Sequence, residues 1–172
     1  VVGDADVDLG IKVLVDRPEQ VGADRLVNTV AAHAKYGGPL IIVDFGTATT
    51  FDVVDTDGAY IGGVIAPGVN LSLEALHNAA AALPHVDISK PQAVIGTNTV
   101  SCIQSGIFWG YVGLVREICA RIKAERGREM RVIATGGLAP LFQQTVDLFD
   151  AYQDDLTMHG LTVIYNYNKD TA

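Results

Sequence analysis

Charge is scarce in this chain. Charged side chains make up 19% of its 172 residues, and 12 basic residues stand against 20 acidic ones, a net charge of −8. That shortage excludes a nucleic-acid partner, because a phosphate backbone needs a clustered basic footprint. The one basic-rich stretch (Arg121, Lys123, Arg126, Arg128, Arg131) is interleaved with Glu125 and Glu129 and reads as a solvated helix end. No run of about 18 apolar residues occurs, so no membrane-spanning helix is expected. His33, His77, His85 and His159 show no metal-ligand spacing, and neither cysteine stands beside a histidine in a nucleophile context. Cys102 and Cys119 fall in one predicted helix, where 17 residues of separation put them ~25 Å apart, beyond disulfide reach. Free thiols in an acidic chain point to the cytoplasm. Walker A, Rossmann and Gly-x-Ser-x-Gly fingerprints are all missing. The start, Val1-Val2-Gly3-Asp4-Ala5-Asp6, has neither an initiator Met nor a basic-then-apolar signal pattern. It is expected to lie inside a longer chain.

What is present is apolar. Hydrophobic residues account for 49% of the chain, enough for a real core and too many for disorder. Ile11 to Val15 reads as a short strand. Leu26, Val27, Val30, Ala31 and Ala34 recur at helical spacing from Asp24 to Tyr36, and Gly37-Gly38-Pro39 stops that helix. Leu40 to Val43 is a continuous apolar run, the pattern of a strand covered on both faces. Thr49 to Val54 and Tyr60 to Ile65, joined by Asp55-Thr56-Asp57-Gly58, read as a β-hairpin. Helices follow from Val69 to Leu83 and from Asn98 to Arg126. Gly106, Gly110 and Gly113 in the longer one cost about 1 kcal/mol each against Ala and suggest close packing of another backbone. A strand at Arg131 to Ala134, a turn at Gly136-Gly137 and a helix from Leu138 to Leu148 come next. Leu156 to Tyr167 leans towards helix, although Thr162 to Tyr165 has strand-like composition. The alternation predicts an α/β protein with a mixed sheet and flanking helices.

Four segments could carry chemistry. Asp44-Phe45-Gly46-Thr47-Ala48-Thr49-Thr50 closes a buried strand with a carboxylate, a glycine turn and threonines. Phosphate oxygens favour such donors, and the carboxylate would hold a cation or its water; a plain hairpin turn explains the same residues. Gly22-Ala23-Asp24-Arg25 opens a helix. Asp24 either caps it or accepts the proton of a substrate hydroxyl, with Arg25 anchoring a polar or anionic substrate. Gly62-Gly63 and Pro67-Gly68 mark either a close approach by a ligand or a bulge and turn. Thr135-Gly136-Gly137 opens a helix that could cradle a nucleotide, or is simply a turn.

Taken in order and at this spacing, these segments together with Asn98-Thr99 resemble the type III pantothenate kinases. The resemblance implies the ribonuclease H-like fold of the acetate kinase, sugar kinase, Hsp70 and actin superfamily, with ATP between two lobes. It implies phosphorylation of pantothenate to 4′-phosphopantothenate, the first step towards coenzyme A. Asp24 would be the catalytic base; Gly22, Ala23, Asp24, Arg25 and Thr99 would bind pantothenate. Gly46, Thr47, Thr49, Gly136 and Gly137 would face ATP, with Mg2+ accompanying the nucleotide. Asp44 would hold a monovalent cation, K+ or NH4+. Family members are homodimers with the substrate pocket near the interface. Residues 1–38 would be the remainder of an N-terminal lobe and 39–172 the C-terminal ATPase lobe, the final helix reaching back to the first. The family's opening Asp-x-Gly-Asn phosphate motif and nearby Lys have no counterpart here; Asp6-Val7-Asp8-Leu9-Gly10 lacks the spacing. The first lobe is therefore expected to be truncated and the 172 residues alone inactive. The alternatives are a non-catalytic regulatory relative of the same fold and a kinase of another small metabolite.

Overall fold

The computed structural model describes residues 7–79, 83–145 and 147–169. Five strands form one mixed sheet: β1 (Leu40–Phe45), β2 (Ala48–Val54), β3 (Tyr60–Pro67), β4 (Arg131–Thr135) and β5 (Ala151–Tyr152), in the order β3-β2-β1-β4-β5. β1 pairs antiparallel with β2 and parallel with β4, and β2 pairs antiparallel with β3, so the expected hairpin is present. The helices are α1 (Ala23–Tyr36), α2 (Val69–Ala79), α3 (Thr99–Arg126), α4 (Ala139–Gln143) and α5 (Leu156–Asn168).

β1 is apolar from Leu40 to Val43 because helices cover both faces of the sheet. Ile41, Val43 and Phe45 point into a core shared with Phe51, Val53, Val132 and the α3 residues Phe108, Val112 and Val115. Phe142 of α4 stacks on Phe45 at 4.9 Å and on Phe108 at 5.3 Å, closing that layer. Leu40, Ile42, Val54 and Ile133 face the other way, onto Ala31 and Ala32 of α1 and Leu156 of α5. Val27 and Val30 meet Ile164, so the two helices of that layer pack on each other. Strand side chains alternate between faces. Asp44 therefore follows Ile42 onto the α1 face, and Asp52 precedes Val54 onto the same face.

Several expectations need correcting. Ile11 to Val15 is no full strand: only Val13 bridges to Tyr60, with Leu14 N and Tyr60 N forming the two bonds. The reason is a bulge: Val54 pairs with Tyr60 but Val53 with Gly62, and the extra residue turns the edge of β3 away. The helix expected to run from Leu138 to Leu148 is only the five residues of α4. Asp150 then pairs by backbone and carboxylate with Val132, and the chain returns to the sheet as β5, which the sequence pattern does not announce. The helix from Val69 is described to Ala79, and Leu83 lies outside it. α3 starts on a reciprocal cap in which the Asn98 side chain accepts from Ser101 N and Ser101 Oγ accepts from Asn98 N. Gly106, Gly110 and Gly113 meet nothing within 4 Å at a Cβ position, so among the described residues no other backbone packs against them.

Candidate active site

The C-terminal end of β1 and the first turn of α1 come together on the α1 face of the sheet. Asn28, 1% exposed, donates from Nδ2 to Asp44 Oδ2 at 3.0 Å. Thr157 of α5 donates to Asn28 Oδ1 at 2.8 Å, so both ends of the amide are fixed and α5 is tied to the site. Burial raises the Asp44 carboxyl above its usual range; the Asn28 hydrogen bond opposes that, and the nearby charge of Asp24 adds to it. Asp44 Oδ1 accepts no hydrogen bond among the described residues and faces two turns instead. Gly46 lies 3.5 Å from it at the Cβ position, and a Cβ on Gly136 would collide with it and with the Phe45 backbone. Gly136 has φ +93°, a conformation L side chains rarely adopt, which is why a glycine ends β4 here. Asn28→Ala should cost about 1–3 kcal/mol, because it leaves Asp44 and Thr157 without a partner. Chemical denaturation of the variant measures it, and an unchanged midpoint would contradict the linkage.

A second carboxylate lies beside the first helical turn. Arg25 donates from Nε to Asp52 Oδ1 at 2.7 Å; their side chains are 14% and 0% exposed. Thr50 Oγ1 donates to the other Asp52 oxygen at 3.3 Å, and the Arg25 guanidinium sits 5.7 Å from the Tyr60 ring centre. Burial pushes Asp52 up to about 6, while Arg25, Tyr60 and Thr50 pull it down. Arg25 Nη2 is buried with no hydrogen-bond partner among the described residues, and a Cβ on Gly63 would press against it at 2.5 Å. The glycine keeps that space.

The structure gathers Gly22, Ala23, Asp24, Arg25, Asp44, Gly46 and Gly136 into this region. Gly22 is the N-cap of α1, and Asp24 lies in its first turn with no side-chain hydrogen bond among the described residues. Thr47 is exposed in the β1–β2 turn, and Gly137 is exposed beside Gly136. Thr49 is not brought in: it is fully buried, shares a face with Phe51, and its hydroxyl in the core has no partner among the described residues. Thr99 is also elsewhere. It is the first residue of α3, on the opposite layer, about 18 Å along the helix from Tyr111, whose hydroxyl bonds to Pro67 O. Asn28, Asp52, Tyr60 and Thr157 are site residues the sequence reading does not single out. An aspartate set between the apolar residues Phe51, Val53 and Val54 of β2 was the signal available for Asp52. His77 and His85, which share no ligand spacing, stack with ring centres 3.5 Å apart, away from this site.

Two solved structures share the architecture. One, described as a conserved Baf family transcriptional activator from Campylobacter jejuni, aligns over 94% of this chain and 71% of its own at a TM-score of 0.67 and 20% identity. The other, the activator of 2-hydroxyisocaproyl-CoA dehydratase from Clostridium difficile with bound ADPNP, aligns over 84% and 66% at 0.50 and 9%. At those identities the likeness carries the fold alone: a mixed α/β sheet with flanking helices. The chain belongs to the type III pantothenate kinase family, whose model matches residues 1–121. A type III pantothenate kinase from Roseobacter denitrificans is 79% identical over 171 residues, 99% of this chain and 66% of that protein. The chain spans 65–66% of the length of the curated relatives it matches.

Proposed function

We propose that the protein carrying this chain transfers the γ-phosphoryl group of ATP to the hydroxyl of pantothenate, giving 4′-phosphopantothenate and ADP, the first step towards coenzyme A. The observation that carries the reading is the meeting of Asp24, Arg25 and Asp44 at one end of the sheet, in a chain 79% identical to a protein of that name. Phosphoryl transfer asks mainly for alignment and charge compensation. Asp24 is exposed, accepts no hydrogen bond among the described residues and stands where it can take the proton of an incoming hydroxyl. Arg25 anchors the anionic end of the substrate. The turns at Gly46-Thr47 and Gly136-Gly137 bring backbone close to the nucleotide phosphates.

The residues at Asp44 fit a monovalent cation, K+ or NH4+. One carboxylate oxygen is held by Asn28, and the other faces two glycine turns with no protein donor among the described residues. A bound cation would also offset the mutual repulsion of Asp24 and Asp44. Among the described residues no cluster of three or more His, Cys, Asp or Glu could grip a metal. Mg2+ in this reading is held by the nucleotide phosphates and water. Asp44→Ala should abolish potassium dependence and weaken nucleotide use; an unchanged response to potassium against sodium would remove Asp44 from the cation site.

Thr99 stands on the opposite layer from Asp24, so in this reading it contacts the substrate bound by a second copy, and the protein works as a homodimer. The open stripe of Gly106, Gly110 and Gly113 and the exposed Leu71, Leu76 and Val100 support such an interface. Residues 1–38 then carry the substrate-binding edge and 39–172 the nucleotide-binding lobe, with the reaction in the cytoplasm, in keeping with the free thiols of Cys102 and Cys119. A panel of small hydroxyl and carboxylate compounds tests the substrate. Only pantothenate should saturate in the usual micromolar to millimolar range, and preferred use of a sugar or carboxylate would reassign the kinase.

A further inference from the structure

Arg25 has one well-made contact and one orphan. Its Nε is 2.7 Å from an aspartate that is fully buried, whereas Nη2 is buried beside Gly63 without a partner among the described residues. A buried donor without an acceptor is costly, and a group held in that state marks a place where a ligand atom is expected. Asp52 sits on β2 directly across from Gly63 on β3, so the carboxylate and the space for the guanidinium are set by one register. Thr50 fixes the second Asp52 oxygen, and the Tyr60 ring lies near the guanidinium. An arginine held at Nε cannot swing, and its terminal nitrogens are left for another anion.

We infer that Asp52 is a positioning residue for substrate binding: it holds Arg25 by Nε so that the terminal nitrogens meet an anionic oxygen of the substrate, and Gly63 keeps the space open. This rests on the proposed pantothenate reading and adds to it the residue that aims the anchor. Asp52 itself touches no substrate. Its whole effect therefore passes through Arg25, which separates a positioning role from a merely structural one.

The test is a double-mutant cycle in the gene-length protein with Asp52→Asn and Arg25→Ala, reading KM for pantothenate, KM for ATP and kcat. Asp52→Asn keeps the shape of the buried side chain. It should raise the pantothenate KM by about tenfold or more, with ATP KM and kcat within about threefold. In the Arg25→Ala background it should add almost nothing. Thr50→Val, which removes only a hydroxyl from Asp52, gives a milder shift in the same parameter and serves if Asp52→Asn unfolds. Additive losses, or a uniform fall in kcat and both KM values, would overturn the positioning role. A wild-type protein that binds ATP but shows no pantothenate dependence would overturn the proposed function, and this inference with it. A wild-type response left intact by both Asp52→Asn and Thr50→Val would overturn this inference alone.

Discussion

Replacing Asp24 by asparagine should lower pantothenate-dependent turnover at least ~100-fold, the low end for a positioned acid or base, while ATP still binds. Asparagine keeps the size of the side chain but cannot take a proton at neutral pH. The helix itself should tolerate the change, because Gly22 and not Asp24 occupies the cap, and no side-chain capping bond is lost. Only the favourable meeting of a carboxylate with the helix dipole is given up, about 0.3–1 kcal/mol at an exposed site. The loss of charge also relieves Asp44, whose carboxyl is raised in part by Asp24. Fold and nucleotide binding are thus expected to survive a change that removes the chemistry. Steady-state ADP release with calorimetric ATP binding separates the two, and a near-wild-type rate would leave Asp24 with the dipole role alone.

Gly136→Ala should destabilise the protein by about 2–6 kcal/mol and remove nucleotide use with it. Two costs coincide. The residue has φ +93°, where a Cβ is strained at about 1–3 kcal/mol, and the added methyl would run into Asp44 Oδ1 and the Phe45 backbone. Overpacking of that kind adds about 1–3 kcal/mol unless the neighbours give way. They are badly placed to do so, since the Phe45 ring is stacked on Phe142 and Asp44 is held by Asn28. The turn after β4 and the turn after β1 are in effect one piece of structure. Gly137→Ala is the matched control, because nothing lies within 4 Å of its Cβ position. Denaturant midpoints for both variants decide it, and equal midpoints would contradict the packed corner.

Periodicity carried most of the fold. The apolar run of β1, the hairpin around Asp55 to Gly58 and the three-and-four spacing of α1 and α3 each reflect a face buried on a neighbouring layer. α5 was ambiguous in composition, and it is a helix because Leu156, Gly160 and Ile164 face inwards at four-residue spacing. The departures are long-range. β5 exists because Asp150 reaches back to Val132, and the segment at Val13 is reduced to one bridge by a bulge in β3. The candidate site was half legible. Asp24, Arg25 and Asp44 stand in motifs, whereas Asn28 looked like one more polar residue of a helix and Asp52 like an oddity of a strand. Their meaning depends on which residues the sheet register sets opposite them. Thr49 shows the converse, a motif threonine whose strand parity turns it into the core.

The central claim is that this chain supplies the substrate edge and the cation corner of a pantothenate kinase. Its most direct test is ADP release by the gene-length protein, with and without pantothenate, in potassium and then in sodium buffer. The account predicts release that requires pantothenate and falls when sodium replaces potassium. Folded protein that binds ATP yet releases no ADP on adding pantothenate would contradict it.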